Sequence, residues 1–141
     1  MSNKAGMILN SNDAMLWFDG EILAELSKAT AKATKESDDV TFVGDPRTYK
    51  RSKGYKVEGS ITIKRINSKI NRKVAAAMKA GIDLDSKIIA KQANPKGQAE
   101  RIALTGVDIA ELVLFDWEAQ GNMEQEFPFT AVDFNYLDYI N

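Results

Sequence analysis

The 141-residue sequence contains no cysteine and no histidine. Without cysteine, disulfide bonds, thiolate nucleophiles and thiolate-bound zinc are excluded. Without histidine, the chain lacks the side chain that most often transfers protons near neutral pH and most often binds transition metals. Composition alone therefore excludes most hydrolytic active sites.

Catalytic motifs are absent as well, since none of the patterns G-x-S-x-G, G-x-x-x-x-G-K-[ST], G-x-G-x-x-G or H-E-x-x-H occurs. A carboxylate site for a divalent ion is the remaining enzymatic possibility. Its candidate ligands are Asp38, Asp39, Asp45, Asp83 and Asp85. We interpret these acids as solvated loop residues. The sequence therefore predicts no catalytic, cofactor or metal site, and a protein that is not an enzyme.

The chain also lacks long apolar runs. No stretch approaches the roughly 18 apolar residues of a membrane span, and the first ten residues lack the apolar centre of a secretion signal. Hydrophobic residues make up 44% and charged residues 28%, as is ordinary for a folded soluble protein. We expect a single domain over residues 1–141 that folds in the cytoplasm.

Basic residues are missing from one end of the chain. The first 107 residues carry 19 bases and 12 acids, a formal charge of +7, whereas the segment from Asp108 onward carries eight acids and no base. Two interpretations are open. The two parts pair within one molecule, or they form opposite faces through which copies meet head to tail in rings or filaments.

The apolar pattern predicts a mainly β fold. Strand-like runs bounded by turn residues occur as three pairs and one single segment. They are Ala14–Phe18 with Ile22–Ala24, Leu84–Gln92 with Glu100–Val107, Leu112–Trp117 with Glu126–Phe134, and the strictly alternating Tyr55–Ile66. Pro128 predicts an edge position or a bulge. The runs amount to about seven strands, which suits a β-sandwich or barrel.

One amphipathic helix is predicted after Ser68, which can cap its start, and it is expected to end at Gly81. Its apolar stripe is Ile70, Val74, Ala77 and Met78. Such a helix would close one side of the sandwich. Four aromatic residues that lie among apolar neighbours are expected in the core: Trp17, Trp117, Phe127 and Phe129.

The segment Glu21–Glu36 carries two competing patterns. Apolar residues recur there at helical spacing, at Ile22, Leu26, Ala29 and Ala33, and the segment is rich in helix-forming residues. The part from Lys28 to Lys35 also alternates small apolar with polar residues, as a half-exposed strand does. Local evidence does not decide between helix and strand.

Two polar segments are expected to lie outside the core. Residues 1–13 are predicted to form an N-terminal arm that can reach a neighbour. Residues 36–54 are predicted to form a long loop between strands, and loops of this length are commonly functional. Within and just after this loop, residues 47–56 hold five cations, two tyrosines and no acid. The loop is therefore the expected working surface.

The basic run has three interpretations: a solvated loop, a partner-binding loop with interface-type anchors, or a surface that binds phosphates and stacks bases. The last interpretation gives an alternative function, a small β-barrel that binds single-stranded nucleic acid. Its candidate residues are Arg47, Tyr49, Lys50, Arg51, Lys53 and Tyr55.

The order of several short motifs resembles a known family. These motifs are Trp17–Glu21 in the first hairpin, Gly59–Thr62 in the alternating strand, the R-[IV]-x-L-x-x-V pattern at Arg101–Val107, and Glu124–Thr130 near the end. In this order, with the long basic loop and the helix between them, they resemble the tail tube proteins of contractile phage tails, PBSX-like defective prophages and R-type bacteriocins. The resemblance covers nearly the whole chain.

The resemblance implies a β-sandwich or barrel with one helix that assembles with itself into hexameric rings stacked as a tube. It implies a strand at Glu21–Lys35 and contacts to adjacent subunits through the loop 36–54. The implied interface residues are Asp38, Asp39, Phe42, Arg47, Tyr49, Lys50, Arg51, Lys53 and Tyr55.

The same resemblance implies partners and a location. Sheath, baseplate and tape-measure proteins would be the other partners, and genome DNA would pass through the channel in a phage. The location would be the tail of a virion or a bacteriocin particle, assembled in the host cytoplasm.

Overall fold

A computed structural model describes residues 14–65, 67–94, 97–117, 119, 121 and 123–140. Some sequence predictions lie outside these residues, namely the N-terminal arm 1–13, the last residue of the predicted strand at Ile66, and Pro95 with Lys96 in the second hairpin turn.

The described residues form eight strands and one helix. In chain order these are β1 (Ala14–Phe18), β2 (Glu21–Ile22), β3 (Leu26–Thr41), β4 (Thr48–Lys64), α1 (Lys69–Ala80), β5 (Ser86–Ala93), β6 (Ala99–Val107), β7 (Glu124–Ala131) and β8 (Asp133–Asp138). The strands make a five-stranded sheet, β2-β1-β5-β6-β8, and a three-stranded sheet, β3-β4-β7. All pairs are antiparallel. The predicted mainly β sandwich with one helix is confirmed.

The core lies between the two sheets and against α1. Apolar side chains with at most 6% of their surface exposed come from β1, β4, β5, β6, β7, α1 and the segment after β6. The main ones are Leu16, Phe18, Val57, Ile61, Ile63, Ile70, Val74, Ile88, Leu104, Val107, Ile109, Phe127 and Phe129. β3 lies at one edge of the smaller sheet, and of its residues Leu26 packs against this core while nearly all the others are exposed.

The turn between β1 and β2 holds one corner of the molecule together. Asp19 and Gly20 both have positive φ, 51° and 85°, as a two-residue hairpin turn requires. The Asp19 carboxylate accepts hydrogen bonds from the Lys87 backbone N–H and the buried Ser86 hydroxyl, both at 2.9 Å, and lies 3.4 Å from the Lys73 ammonium. Burial raises the pKa of Asp19, but these donors together hold it below its ordinary value.

The predicted helix after Ser68 is confirmed. It is α1, Lys69–Ala80, and it ends at Gly81, which has a left-handed φ of 69°. The Ser68 side chain makes no capping hydrogen bond. Instead, the Asn67 Oδ1 accepts one from the Lys69 N–H at 3.1 Å. Among the described residues no helix is long and apolar enough to span a bilayer.

The predicted apolar stripe of α1 is wrong at one residue. Ile70, Val74 and Ala77 are buried, but Met78 is 43% exposed. At 100° per residue, Met78 lies about 80° around the helix from Ile70. That angle places it at the rim of the stripe, beyond the contact with the sheets.

The contested segment from Glu21 is strand, as the resemblance implied, although a break separates β2 from β3. Long antiparallel pairing with β4 overrides the helix propensity, since Ala29, Ala31 and Ala33 pair with Ile61, Gly59 and Val57. β3 and β4 approach each other so closely at the Ala31–Gly59 pair that there is no room for a larger residue in place of the glycine. A Cβ at Gly59 would lie 2.8 Å from both the Ala31 Cα and the Phe129 ring.

The predicted loop at residues 36–54 is wrong as secondary structure. β3 and β4 remain paired out to Thr41 and Thr48, so only residues 42–47 form the turn. Both faces of this ribbon are exposed to solvent, and the sequence therefore lacks the apolar alternation that reveals a half-buried strand.

The predicted third hairpin is also wrong. Leu112–Trp117 forms no strand, and β7 and β8 join different sheets, pairing with β4 and β6. Trp117 is 72% exposed rather than in the core, since its segment lies at the surface beside β7. Phe127 and Phe129 are buried as predicted, and Trp17 is half-buried. Pro128 lies in an edge strand, as predicted.

Candidate subunit interface

A two-stranded ribbon projects from the sandwich. β7 pairs with β4 only from Val57 to Lys64, so the earlier part of β4, residues 48–56, pairs with β3 alone. Tyr55 still contacts the other sheet, so the free part of β4 is residues 48–54, which extend roughly 23 Å at about 3.3 Å per residue. We call residues 36–54 the hairpin arm. None of its side chains is buried.

The tip of the hairpin arm is organised by Asp45. Its carboxylate accepts hydrogen bonds from the Arg47 backbone N–H and side-chain Nε, both at 3.0 Å, and from the second guanidinium nitrogen at 3.1 Å. The Tyr49 hydroxyl donates to the same carboxylate at 2.8 Å. The Arg47 hydrogen bonds, with that of Tyr49, lower the pKa of Asp45 to about 2. These hydrogen bonds hold the Asp45, Arg47 and Tyr49 side chains together at the tip.

Apolar surface surrounds this polar centre. The Phe42 and Tyr49 rings meet edge to face with centroids 5.6 Å apart, and the Arg47 guanidinium lies 5.6 Å from the Tyr49 centroid. Val43 and Phe42 are exposed, Phe42 with 60% of its surface. Aromatic and arginine side chains of this kind are the usual anchors of protein interfaces.

Acids and bases match along the rest of the arm. Asp38 is opposite Arg51 and Asp39 is opposite Lys50, and the Lys53 ammonium lies 3.3 Å from the Asp38 carboxylate. Residues 36–54 hold four acids and four bases. The arm is therefore neutral overall, which does not favour a phosphate-binding surface.

The base of the arm is attached to the other sheet through Tyr55. Its hydroxyl donates to the Asp133 carboxylate at 2.5 Å, and its ring meets the Phe134 ring with centroids 5.4 Å apart. The hydrogen bond lowers the pKa of Asp133 and raises that of Tyr55. This contact joins the base of the arm to β8.

The nine predicted interface residues thus separate into three groups. Phe42, Arg47 and Tyr49 meet at the tip, and Tyr55 lies at the base. The remaining five lie along the arm: Asp38, Asp39, Lys50, Arg51 and Lys53.

Sequence reasoning missed Asp45 and Asp133 as partners. Asp45 could have been found, because an aspartate just before a Pro-Arg pair commonly bonds its own backbone in a turn. Asp133 gives no such local signal, because its partner Tyr55 lies 78 residues away.

Within the part of the chain that the structure describes, the other carboxylates lie apart from one another. Adjacent strand residues such as Asp38 and Asp39 point to opposite faces. Among the described residues, no three acidic side chains come together in a way that could hold a metal ion. Acids of the C-terminal part interleave with the basic part instead, as in the 2.8 Å ion pair between Arg101 and Asp138 and the pairing of Glu124 with Lys64.

The described residues thus combine two packed antiparallel sheets, one helix and a projecting hairpin arm with exposed aromatic side chains. The family model described as phage tail tube protein matches residues 1–138. The chain therefore belongs to the phage tail tube protein family, and the resemblance drawn from its sequence is confirmed.

A curated relative and two solved structures extend this result. The phage-like element PBSX protein XkdM of Bacillus subtilis (strain 168) is 26% identical over 146 residues, covering 100% of this chain and 98% of the relative. The sheath-tube complex of an extracellular contractile injection system (PVC) contains a chain with a TM-score of 0.75 and 9% identity, with 99% of each chain covered. The anti-feeding prophage tube-terminating cap gives a TM-score of 0.75 at 9% identity, with 94% of this chain and 92% of that chain covered. At such low identity, these structures show the shared fold.

Proposed function

We propose that this protein assembles with itself into hexameric rings, and that these rings stack into the inner tube of a contractile tail. Membership of the phage tail tube family and a fold shared over nearly the whole chain with a protein of a sheath-tube complex support this function. The proposal assigns a mechanical role to the protein and no catalytic one.

The hairpin arm carries the proposal. A two-stranded ribbon is only marginally stable by itself in water, and this one projects roughly 23 Å with no buried side chain. Its ordered tip presents an arginine and two aromatic rings that the subunit's own core does not use. Packing against an adjacent copy would bury these groups and stabilise the ribbon.

In this role the tube stays rigid while a surrounding sheath contracts. Sheath, baseplate and tape-measure proteins are the proposed partners, and genome DNA is the proposed cargo of the channel in a phage. The proposed location is the tail of a virion or of a bacteriocin particle. Ring closure would also cover the exposed edge at β3, an edge that otherwise promotes aggregation.

The test is assembly of the purified chain. We expect sedimentation velocity to show oligomers that grow with protein concentration, and negative-stain electron microscopy to show sixfold rings or tubes. A protein that stays monomeric at all accessible concentrations and salt levels would overturn the proposal. Rings with another symmetry would contradict the proposed hexamer but would be compatible with the proposed tube.

A further inference from the structure

A contiguous apolar segment lies uncovered on the surface. In residues 112–117, which we call the apolar loop, Leu114, Phe115 and Trp117 expose 72%, 67% and 72% of their surfaces, and Val113 exposes 43%. The Phe115 and Trp117 rings contact each other with centroids 5.2 Å apart. Apolar patches of this kind commonly mark interaction sites.

The apolar loop has a defined position at one edge of the three-stranded sheet. Asp108 and Thr130 exchange two backbone hydrogen bonds of 2.8 and 2.9 Å, which start the segment along the outer side of β7. Further along, the Gln125 amide donates to the Val113 carbonyl at 2.8 Å. The segment is therefore held to β7 at Asp108 and at Val113, which lowers the entropy cost of a contact made by the residues that follow.

A groove lies at the opposite edge of the same sheet, beside β3. Two adjoining hollows, of about 620 and 180 Å³, share much of their lining and form this groove. Their shared residues are Ala14, Met15, Leu16, Leu26, Ala29 and Gln92. The larger hollow alone falls within the roughly 300–1,000 Å³ of pockets that hold small ligands, so the groove has room for two ring side chains.

We propose that the apolar loop of one copy docks into this groove of a second copy. The inference rests on the proposed self-assembly and names its interface. Charge supports this occupant, because the loop is flanked by Glu111 and contains Asp116, whereas the groove is lined by Lys28 and Lys91 with one acid, Glu100. Among the described residues, neither lysine and neither loop acid forms an ion pair.

In the structure the apolar loop does not occupy the groove of its own copy, since none of residues 112–117 lines either hollow. Hydrogen bonds hold the loop at β7, and the groove lies two strands away at β3, roughly 10 Å at about 4.8 Å per strand. Loop and groove are different surfaces, so the contact is heterologous. A contact of this type repeats from copy to copy and closes into a ring or continues as a filament.

The first test removes the apolar anchors. We expect Phe115→Ser combined with Trp117→Ser to raise the concentration needed for assembly by at least about tenfold, which corresponds to about 1.4 kcal/mol. Ile82→Ser, at an apolar residue with 65% exposure outside both surfaces, is the matched control and should assemble as the unchanged protein does. Thermal unfolding of each variant confirms that its subunit is folded.

The second test uses complementation. Ala29→Arg blocks the groove and leaves the loop intact, whereas the loop variant leaves the groove intact. Each alone is expected to lose assembly, and an equimolar mixture is expected to form heterodimers in sedimentation velocity. If both variants build tubes as the unchanged chain does, the docking is wrong and the proposed tube function stands.

A third test is independent of tube formation, since the chain has no cysteine. Leu114→Cys mixed with Ala29→Cys should form an intermolecular disulfide at least about tenfold faster than Ile82→Cys mixed with Ala29→Cys, because only docked thiols come within bonding distance. Equal rates would overturn the docking even if the protein assembles. Preferential cross-linking in a protein that forms no tubes would support the docking and overturn the tube.

Discussion

Asp45 shows how much of the hairpin tip depends on one side chain. Its pKa of about 2 lies below the ordinary value of 3.8 because Arg47 and Tyr49 donate hydrogen bonds to its charged form. Because the pKa is lower in the folded than in the unfolded protein, the hydrogen bonds to the charged Asp45 contribute their full stabilisation of the fold above the ordinary pKa of 3.8. It is lost as the pH falls through about 2.

We expect Arg47→Ala to raise the pKa of Asp45 toward its ordinary value, because two side-chain hydrogen bonds from the guanidinium are removed. NMR titration of the carboxyl carbon measures this change. Lys50→Ala is the control, since Lys50 makes no contact with Asp45 in the structure and should leave the titration unaltered. An unchanged pKa in the Arg47 variant would contradict the assigned cause.

Gly59 is the second residue on which local packing depends. A methyl group there would lie 2.8 Å from the Phe129 ring and from the Ala31 Cα, and it would also meet the Thr30 carbonyl. Gly59→Ala should therefore lower the free energy of unfolding by about 1–3 kcal/mol. Urea denaturation measures the difference, and Ser60→Ala, on the opposite face of β4, serves as control. Equal stability of the two variants would show that β3 yields without strain.

At the scale of elements, α1 separates buried from exposed apolar residues. Val74 is 1% exposed and Met78 is 43% exposed, although both belong to the stripe that the sequence predicts. Val74→Ala should lower the free energy of unfolding by about 2 kcal/mol through lost burial and a cavity. Met78→Ala should change it by less than about 0.5 kcal/mol. Chemical denaturation of the two variants measures both free energies of unfolding. Equal decreases in the two variants would contradict the orientation of the helix.

The elements also show where sequence patterns succeed. The strand from Tyr55 and the helix from Lys69 were predicted because one face of each is buried and its period is visible. β3 was ambiguous because none of its residues from Ser27 to Asp39 is buried, so its strand conformation depends on pairing with β4.

At the scale of the whole molecule, the hairpin arm contributes no buried residue to the core. A variant that lacks residues 38–51 and joins Ser37 to its partner Ser52 through an Asn-Gly turn keeps every buried residue of the sandwich. We expect its melting temperature to stay close to that of the full chain, while assembly seen by electron microscopy is lost.

Two outcomes would contradict this expectation. A large fall in melting temperature would mean that the arm stabilises its own subunit. Normal tubes from the shortened chain would remove the arm from the interface and leave docking of the apolar loop as the contact to test. Ile82→Ser serves again as the control that should both fold and assemble.

Some properties of this protein follow from its sequence alone. The missing histidine and cysteine, the alternation before Lys64 and the glycine that follows the amphipathic stripe are local features, and they determined the exclusion of histidine- and cysteine-based chemistry, the mainly β class and the helix from Lys69. The order of its motifs was enough to indicate the family.

Only the tertiary structure decided how the exposed parts are arranged. The pairing of the ribbon at residues 36–54, the contact of Tyr55 with Asp133, and the apolar loop and groove at opposite edges of one sheet all depend on residues far apart in the chain. Local propensity and periodicity report the burial of a segment against its own core. They carry no signal for surfaces that the isolated subunit leaves exposed.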